Sequence, residues 1–173
     1  MGSPRFFGFV IGGAYPVSVA ANWLGTAWDQ NTGLEKTTPA VAKLEAVSAR
    51  WMLDLLGLPA ESATAFVTGA TVANFTALAA ARNQVLNRAG WDVEADGLIG
   101  APAIHIIISE ESHPTVYKSL AMLGLGRNRV IKVPVDDQGR MDMRQFPEIQ
   151  DNTLIITQAG NINSGSFDPI GDI

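Results

Sequence analysis

The run Ile104-His-Ile-Ile-Ile-Ser-Glu-Glu-Ser-His-Pro114 sets the architecture of this chain. Ile104–Ser109 is an isoleucine-rich stretch of the kind that fills a buried strand. Its one histidine, His105, reads as a satisfied core or edge residue. Five residues after Ser109, Pro114 fits the first turn of a helix, where its missing N–H costs nothing. Val116, Leu120 and Leu123 then share one helical face, and Gly124 and Gly126 close the helix. A buried strand that turns at once into an amphipathic helix is the repeating step of an α/β sheet.

The same step recurs on both sides. Downstream, Val130–Val133 reads as a strand and Asp136–Gly139 as a turn. Asp142 and Gln145 have the spacing of a capping box before a short helix limited by Pro147. Thr153–Gln158 is a further apolar strand. Upstream, Ala65–Val67 is a short strand candidate, followed by a turn at Thr68–Thr71 and an alanine-rich helix to about Arg88, stopped by Gly90. Before it, Val41, Leu44, Val47, Trp51 and Leu55 recur at helical spacing between Pro39 and Gly57, and another helix is expected near Val17–Gln30. Strands alternating with helices from about residue 65 onward predict a mostly parallel sheet with flanking helices. The expected organisation is an opening segment with one helix over 1–38 and a partial α/β domain over 39–173. The chain stops where a new helix is due, so the domain is expected to be incomplete.

Composition narrows the function classes. With 173 residues, 47% hydrophobic and 17% charged, the chain can build a core of ordinary size. A net charge of −5 without a basic run disfavours nucleic acid or an anionic membrane as the main partner. There is no cysteine, which removes disulfides, thiolate zinc sites and cysteine nucleophiles, and two histidines make a transition-metal site improbable. No apolar stretch reaches the roughly 20 residues of a membrane span, and the start lacks a signal-peptide layout. A cytoplasmic location is expected.

Three segments could carry chemistry. In Thr68-Gly-Ala-Thr-Val-Ala-Asn74, a glycine turn feeds a helix, whose unpaired N–H groups and positive dipole end suit a phosphate. Plain capping fits the same residues. His113 stands just past a strand's carboxyl end, where α/β folds place ligands. Its imidazole could stack on an aromatic ring, exchange a proton, or simply cap the helix. Asn161–Asp168, with two asparagines, two serines and Gly165, could hydrogen-bond a polar ligand, while Asp168 before Pro169 could equally form a turn. Glu110 and Glu111 are adjacent and read as solvated, not as an acid/base pair.

Together these segments resemble the group II pyridoxal-phosphate decarboxylases, which include aromatic-L-amino-acid and glutamate decarboxylases. The matching stretches are Ser3–Phe9, Phe66–Arg82, Ser109–Pro114, Leu123–Gly126, Val133–Asp142 and Gly165–Pro169, in the family's order and spacing. The resemblance implies part of the large domain of a type I pyridoxal-phosphate-dependent transferase fold, the aspartate-aminotransferase-like arrangement. It implies that Ala70 and Thr71 hold the cofactor phosphate. His113 is implied to stack on the pyridine ring and assist reprotonation. The Asn161–Asn163 loop is implied to contact the cofactor, although relatives often carry threonine there, and Asp168 is implied to give structural support. Phe9 and Gly12 match the segment bordering the substrate pocket, which the family usually builds across a dimer interface.

Two family residues have no match. The lysine that holds the cofactor, in a His-Lys pair, and the aspartate that pairs with the pyridine nitrogen both lie downstream of the Phe-Asp-Pro motif in relatives. Here the lysines are Lys36, Lys43, Lys118 and Lys132, and none follows a histidine. The resemblance therefore implies part of an L-amino-acid decarboxylase that is inactive alone. Its expected partner is a second copy or a complementing carboxyl-terminal half. The alternative is a non-catalytic phosphate-binding or dimerisation module.

Overall fold

The computed structural model describes residues 3, 5, 6 and 13–173, so Phe9 and Gly12 lie outside the described residues. The chain forms two compact units, Met1–Phe66 and Val67–Ile173.

The first unit carries α1 (Pro16–Trp28) and α2 (Pro39–Leu56). Each begins with proline at its first turn, as its sequence predicts. The N–H of Gly57, at φ 63°, donates to Asp54 O, and Leu58 N–H donates to Leu53 O. This paired closure satisfies two of the last carbonyls of α2. The expected apolar stripe of α2 is helical but not covered. Leu44, Trp51 and Leu55 are exposed, and only Leu53 is buried.

The second unit holds α3 (Ala70–Arg88), α4 (Val93–Asp96), β1 (His105–Ser109), α5 (Pro114–Met122), β2 (Val130–Val133) and β3 (Thr153–Ile156). The strands form one parallel sheet in the order β2-β1-β3. Alternation along β1 divides its side chains between two layers. Ile106 and Ile108 pack with Leu78 of α3 and with Val116 and Leu120 of α5. Ile107 faces the other way, onto Val133 and Met141, with Phe146, Ile155 and Ile173 against them. Ile106, Ile107 and Ile108 are each 1% exposed or less, which makes β1 the central strand. Burial on this scale contributes about 1.5–3 kcal/mol per side chain.

Three expectations need correction. Ala65–Val67 forms no strand, because no described residue pairs with it to make a ladder. The strand expected over Thr153–Gln158 ends at Ile156, since the Gln158 N–H leaves the sheet to donate to the Asp168 carboxylate at 2.7 Å. The short helix after Asp142 is a 3-10 turn, Met143–Gln145. Its cap is one-sided: the Asp142 carboxylate accepts from Arg144 N–H at 3.1 Å and from the Gln145 amide at 3.0 Å. The Asp142 N–H cannot complete the box because it already donates to Pro134 O. The Arg144 guanidinium and Gln145 amide hold the Asp142 carboxyl well below the usual carboxylate range.

Candidate functional site

The chain leaves β1 toward the helical layer, through His113 into α5. It leaves β3 toward the opposite layer, where Ile173 packs beside Ile107. Adjacent strands whose exits diverge to opposite faces open a crevice at their carboxyl ends, the usual ligand position of an open α/β sheet. A cavity of about 470 Å³ lies there. One wall is Glu111, Ser112 and His113 with the first turn of α5, and a second is the β3 exit from Ile156 to Gly160. The third is the start of α3, with Ala70 and Asn74.

The α3 wall offers donors. Gly69 precedes the helix and no side chain caps it. Ala73 N–H donates to Gly69 O, so the N–H groups of Ala70, Thr71 and Val72 have no partner among the described residues. Such a terminus, at the positive end of a 19-residue helix, favours an anion. Ala70 lines the cavity. Thr71 is half-buried, its carbonyl accepts from Ser119 Oγ at 3.2 Å, and it borders a neighbouring cavity with Pro114, Tyr117 and Lys118.

His113 both caps and lines. It is the residue before α5, and its Nδ1 accepts from Thr115 N–H at 3.3 Å. The same ring borders the cavity. Asn161 is buried and works between loops: its Nδ2 donates to Glu111 Oε2 at 2.7 Å, while its Oδ1 accepts from the N–H groups of Asn163 and Ser164. Its neighbours Gly160 and Ile162 line the cavity, whereas the side chains of Asn161 and Asn163 do not border it. Asp168 is buried and accepts from Met141 N–H at 2.9 Å and Gln158 N–H at 2.7 Å, tying the β3 exit to the segment after β2.

Glu110 and Glu111 are solvated as expected, and each also holds a neighbouring segment. Both are exposed, and Glu110 accepts from Val135 N–H at 2.9 Å and Glu111 from Asn161. Gly139, at φ 75°, packs against that pair, and a Cβ there would collide with the Asn161 amide and stand 2.9 Å from Glu111 Oε2. Sequence reasoning included Asn74 in the Thr68–Asn74 segment without giving it a role, and passed over Thr115, Thr157 and Gln158. Asn74 was detectable: it lies four residues after Ala70, on the same helix face. Thr115 sits two residues after His113, the spacing of a side-chain cap. Thr157 and Gln158 carried no such signal, since both looked like the end of a strand.

The chain matches the pyridoxal-dependent decarboxylase conserved domain over residues 1–173. It is 29% identical to an acidic amino acid decarboxylase of Xenopus tropicalis over 98% of this chain and 34% of that protein. It is 27% identical to an aromatic-L-amino-acid decarboxylase of Bacillus atrophaeus, over 98% of this chain and 35% of that protein. The crystal structure of mouse CSAD superposes with a TM-score of 0.74 at 27% identity, over 83% of this chain and 29% of that one. The chain spans about a third of the length of these relatives. With its α/β fold, its crevice at a strand-order reversal and this end-to-end match, the chain belongs to the pyridoxal-dependent decarboxylase family.

Proposed function

We propose that this chain supplies the phosphate-holding and ring-facing walls of the site in a pyridoxal-phosphate-dependent L-amino-acid decarboxylase. The observation that carries this is the uncapped start of α3 opening into the same cavity as His113. The fit is chemical: unpartnered N–H donors suit a phosphate dianion, and an imidazole with Val116 and Ile156 suits an aromatic ring. The cavity volume is within the range of about 300–1,000 Å³ usual for small-molecule sites.

In this reading Ala70, Thr71 and Val72 hold the phosphate through their N–H groups, and the Thr71 hydroxyl is a further donor. His113 covers the ring and returns a proton to the substrate carbon. Asn161 and Asp168 keep the β3 exit in place. When bound, pyridoxal phosphate supplies an electron sink for the charge left by departing carbon dioxide. That chemistry also needs a lysine amine to hold the cofactor, and no lysine among the described residues lines the cavity. The chain alone is therefore inactive in this reading, and turnover requires a lysine-bearing complement. A phosphate-binding module without chemistry is the second reading, favoured by the same lysine-free lining.

Titration of the chain with pyridoxal phosphate, followed by calorimetry and absorbance, tests this. Binding is expected, without a borohydride-trapped adduct and without carbon dioxide release from L-amino acids. A stoichiometric adduct on Lys36, Lys43, Lys118 or Lys132 with release of carbon dioxide would overturn the claim of inactivity. Failure to bind the cofactor would overturn the proposed site.

A further inference from the structure

We propose that Thr115 and Asn74 are positioning residues that fix the tautomer of His113, placing its single ring proton on Nε2. Asn74 Nδ2 donates to Thr115 Oγ1 at 2.9 Å. Thr115 Oγ1 lies 2.9 Å from His113 Nδ1, and Thr115 N–H reaches the same nitrogen at 3.3 Å. The direction of this chain follows from what each group can do. A backbone N–H can only donate, so Nδ1 must present its lone pair. An amide NH₂ also can only donate, so the Thr115 oxygen accepts from Asn74 and turns its own proton toward His113. Two donors thus converge on Nδ1, and the proton of the neutral ring is left on Nε2.

All three residues border one cavity: Asn74 from α3, Thr115 from α5 and His113 from the cap just before α5. The wall that offers phosphate donors therefore also orients the imidazole. This deepens the proposed function, since it names the atom from which His113 would deliver a proton. It also stands as a statement about the unliganded chain. Second partners that fix which nitrogen carries the proton are the general means of setting histidine chemistry.

The test is nitrogen-15 NMR of the histidine rings of the chain alone, at a pH well above the ordinary histidine range. His105→Gln removes the other histidine and assigns the signals. A protonated Nε2 with an unprotonated Nδ1 is expected for His113. Thr115→Val should raise the ratio of Nδ1–H to Nε2–H about fivefold, the effect of losing one hydrogen bond. Thr115→Ser should restore it. If Thr115→Val does not fold, Asn74→Asp carries the comparison. Its carboxylate would draw the Thr115 proton away from His113 and shift the ratio in the same direction. A native His113 carrying its proton on Nδ1, or ratios unmoved by a folded variant, would overturn the proposal. Cofactor titration is a separate readout: loss of binding with the Nε2 tautomer intact would sink the proposed function and leave the tautomer assignment standing.

Discussion

Asp168 joins two stretches of chain through one buried carboxylate, and both of its partners are backbone N–H groups. The substitution Asp168→Ala leaves Met141 N–H and Gln158 N–H without an acceptor. A buried donor left unpaired costs about 1–3 kcal/mol, so this variant should lose roughly 2–4 kcal/mol in urea unfolding. Asp168→Asn, which keeps one acceptor oxygen, should lose less. A loss below about 0.5 kcal/mol for the alanine variant would remove Asp168 from its bracing role. The support role was legible in the sequence only through family resemblance, because a turn-forming aspartate before proline looks the same. Local pattern placed His113 and the Thr68–Asn74 turn at helix starts, where capping fits equally well, and only the family resemblance singled out Ala70 and gave His113 a cofactor role; both line the cavity. The bond of Glu111 was not legible: its partner, Asn161, is 50 positions away, and no local spacing announces such a pair.

At the scale of elements, α5 is the piece on which the cavity depends. Its face of Val116, Ser119 and Leu120 is buried against β1 and α3, while Lys118 points to solvent. Leu120 is fully buried, and Leu120→Ala should cost about 2–5 kcal/mol. Lys118→Ala should stay within about 0.5 kcal/mol. Equal losses in urea unfolding would show that α5 is not seated on the sheet by that face. The helices and β1, β2 were readable because periodicity and Gly/Pro boundaries agree there. The four-residue α4 was not, being too short to show any apolar period. It exists because the Asp92 carboxylate accepts from Glu94 N–H and Ala95 N–H. Ala65–Val67 misled for the opposite reason: its composition suits a strand, but pairing is a property of neighbours and not of composition.

At the scale of the whole molecule, the first unit leaves Leu44, Trp51 and Leu55 uncovered on one face of α2, with Trp51 67% and Leu55 79% exposed. Exposed apolar surface of this kind drives association. Sedimentation of the chain should show concentration-dependent self-association, reduced by Trp51→Glu with Leu55→Lys. A clean monomer at all concentrations would contradict this. The second unit carries a different consequence. Its cavity takes one wall from the β3 exit, which the pairing of Leu154 with Ile106 and the bond from Asn161 to Glu111, 50 positions apart, bring to the β1 side. Bringing the ends of such a loop together costs about 3–4 kcal/mol of chain entropy. The β1-α5-β2 step joins a shorter length of chain, part of it already helical, and closes at lower cost. On this cost β1, α5 and β2 should assemble first, and β3, whose Leu154 must reach Ile106, should bring the last wall of the cavity in afterwards. On unfolding the order reverses, and the cavity opens while the isoleucine core still holds. Occupancy of this cavity would thus report that the chain has finished folding, which collapse of the core by itself would not.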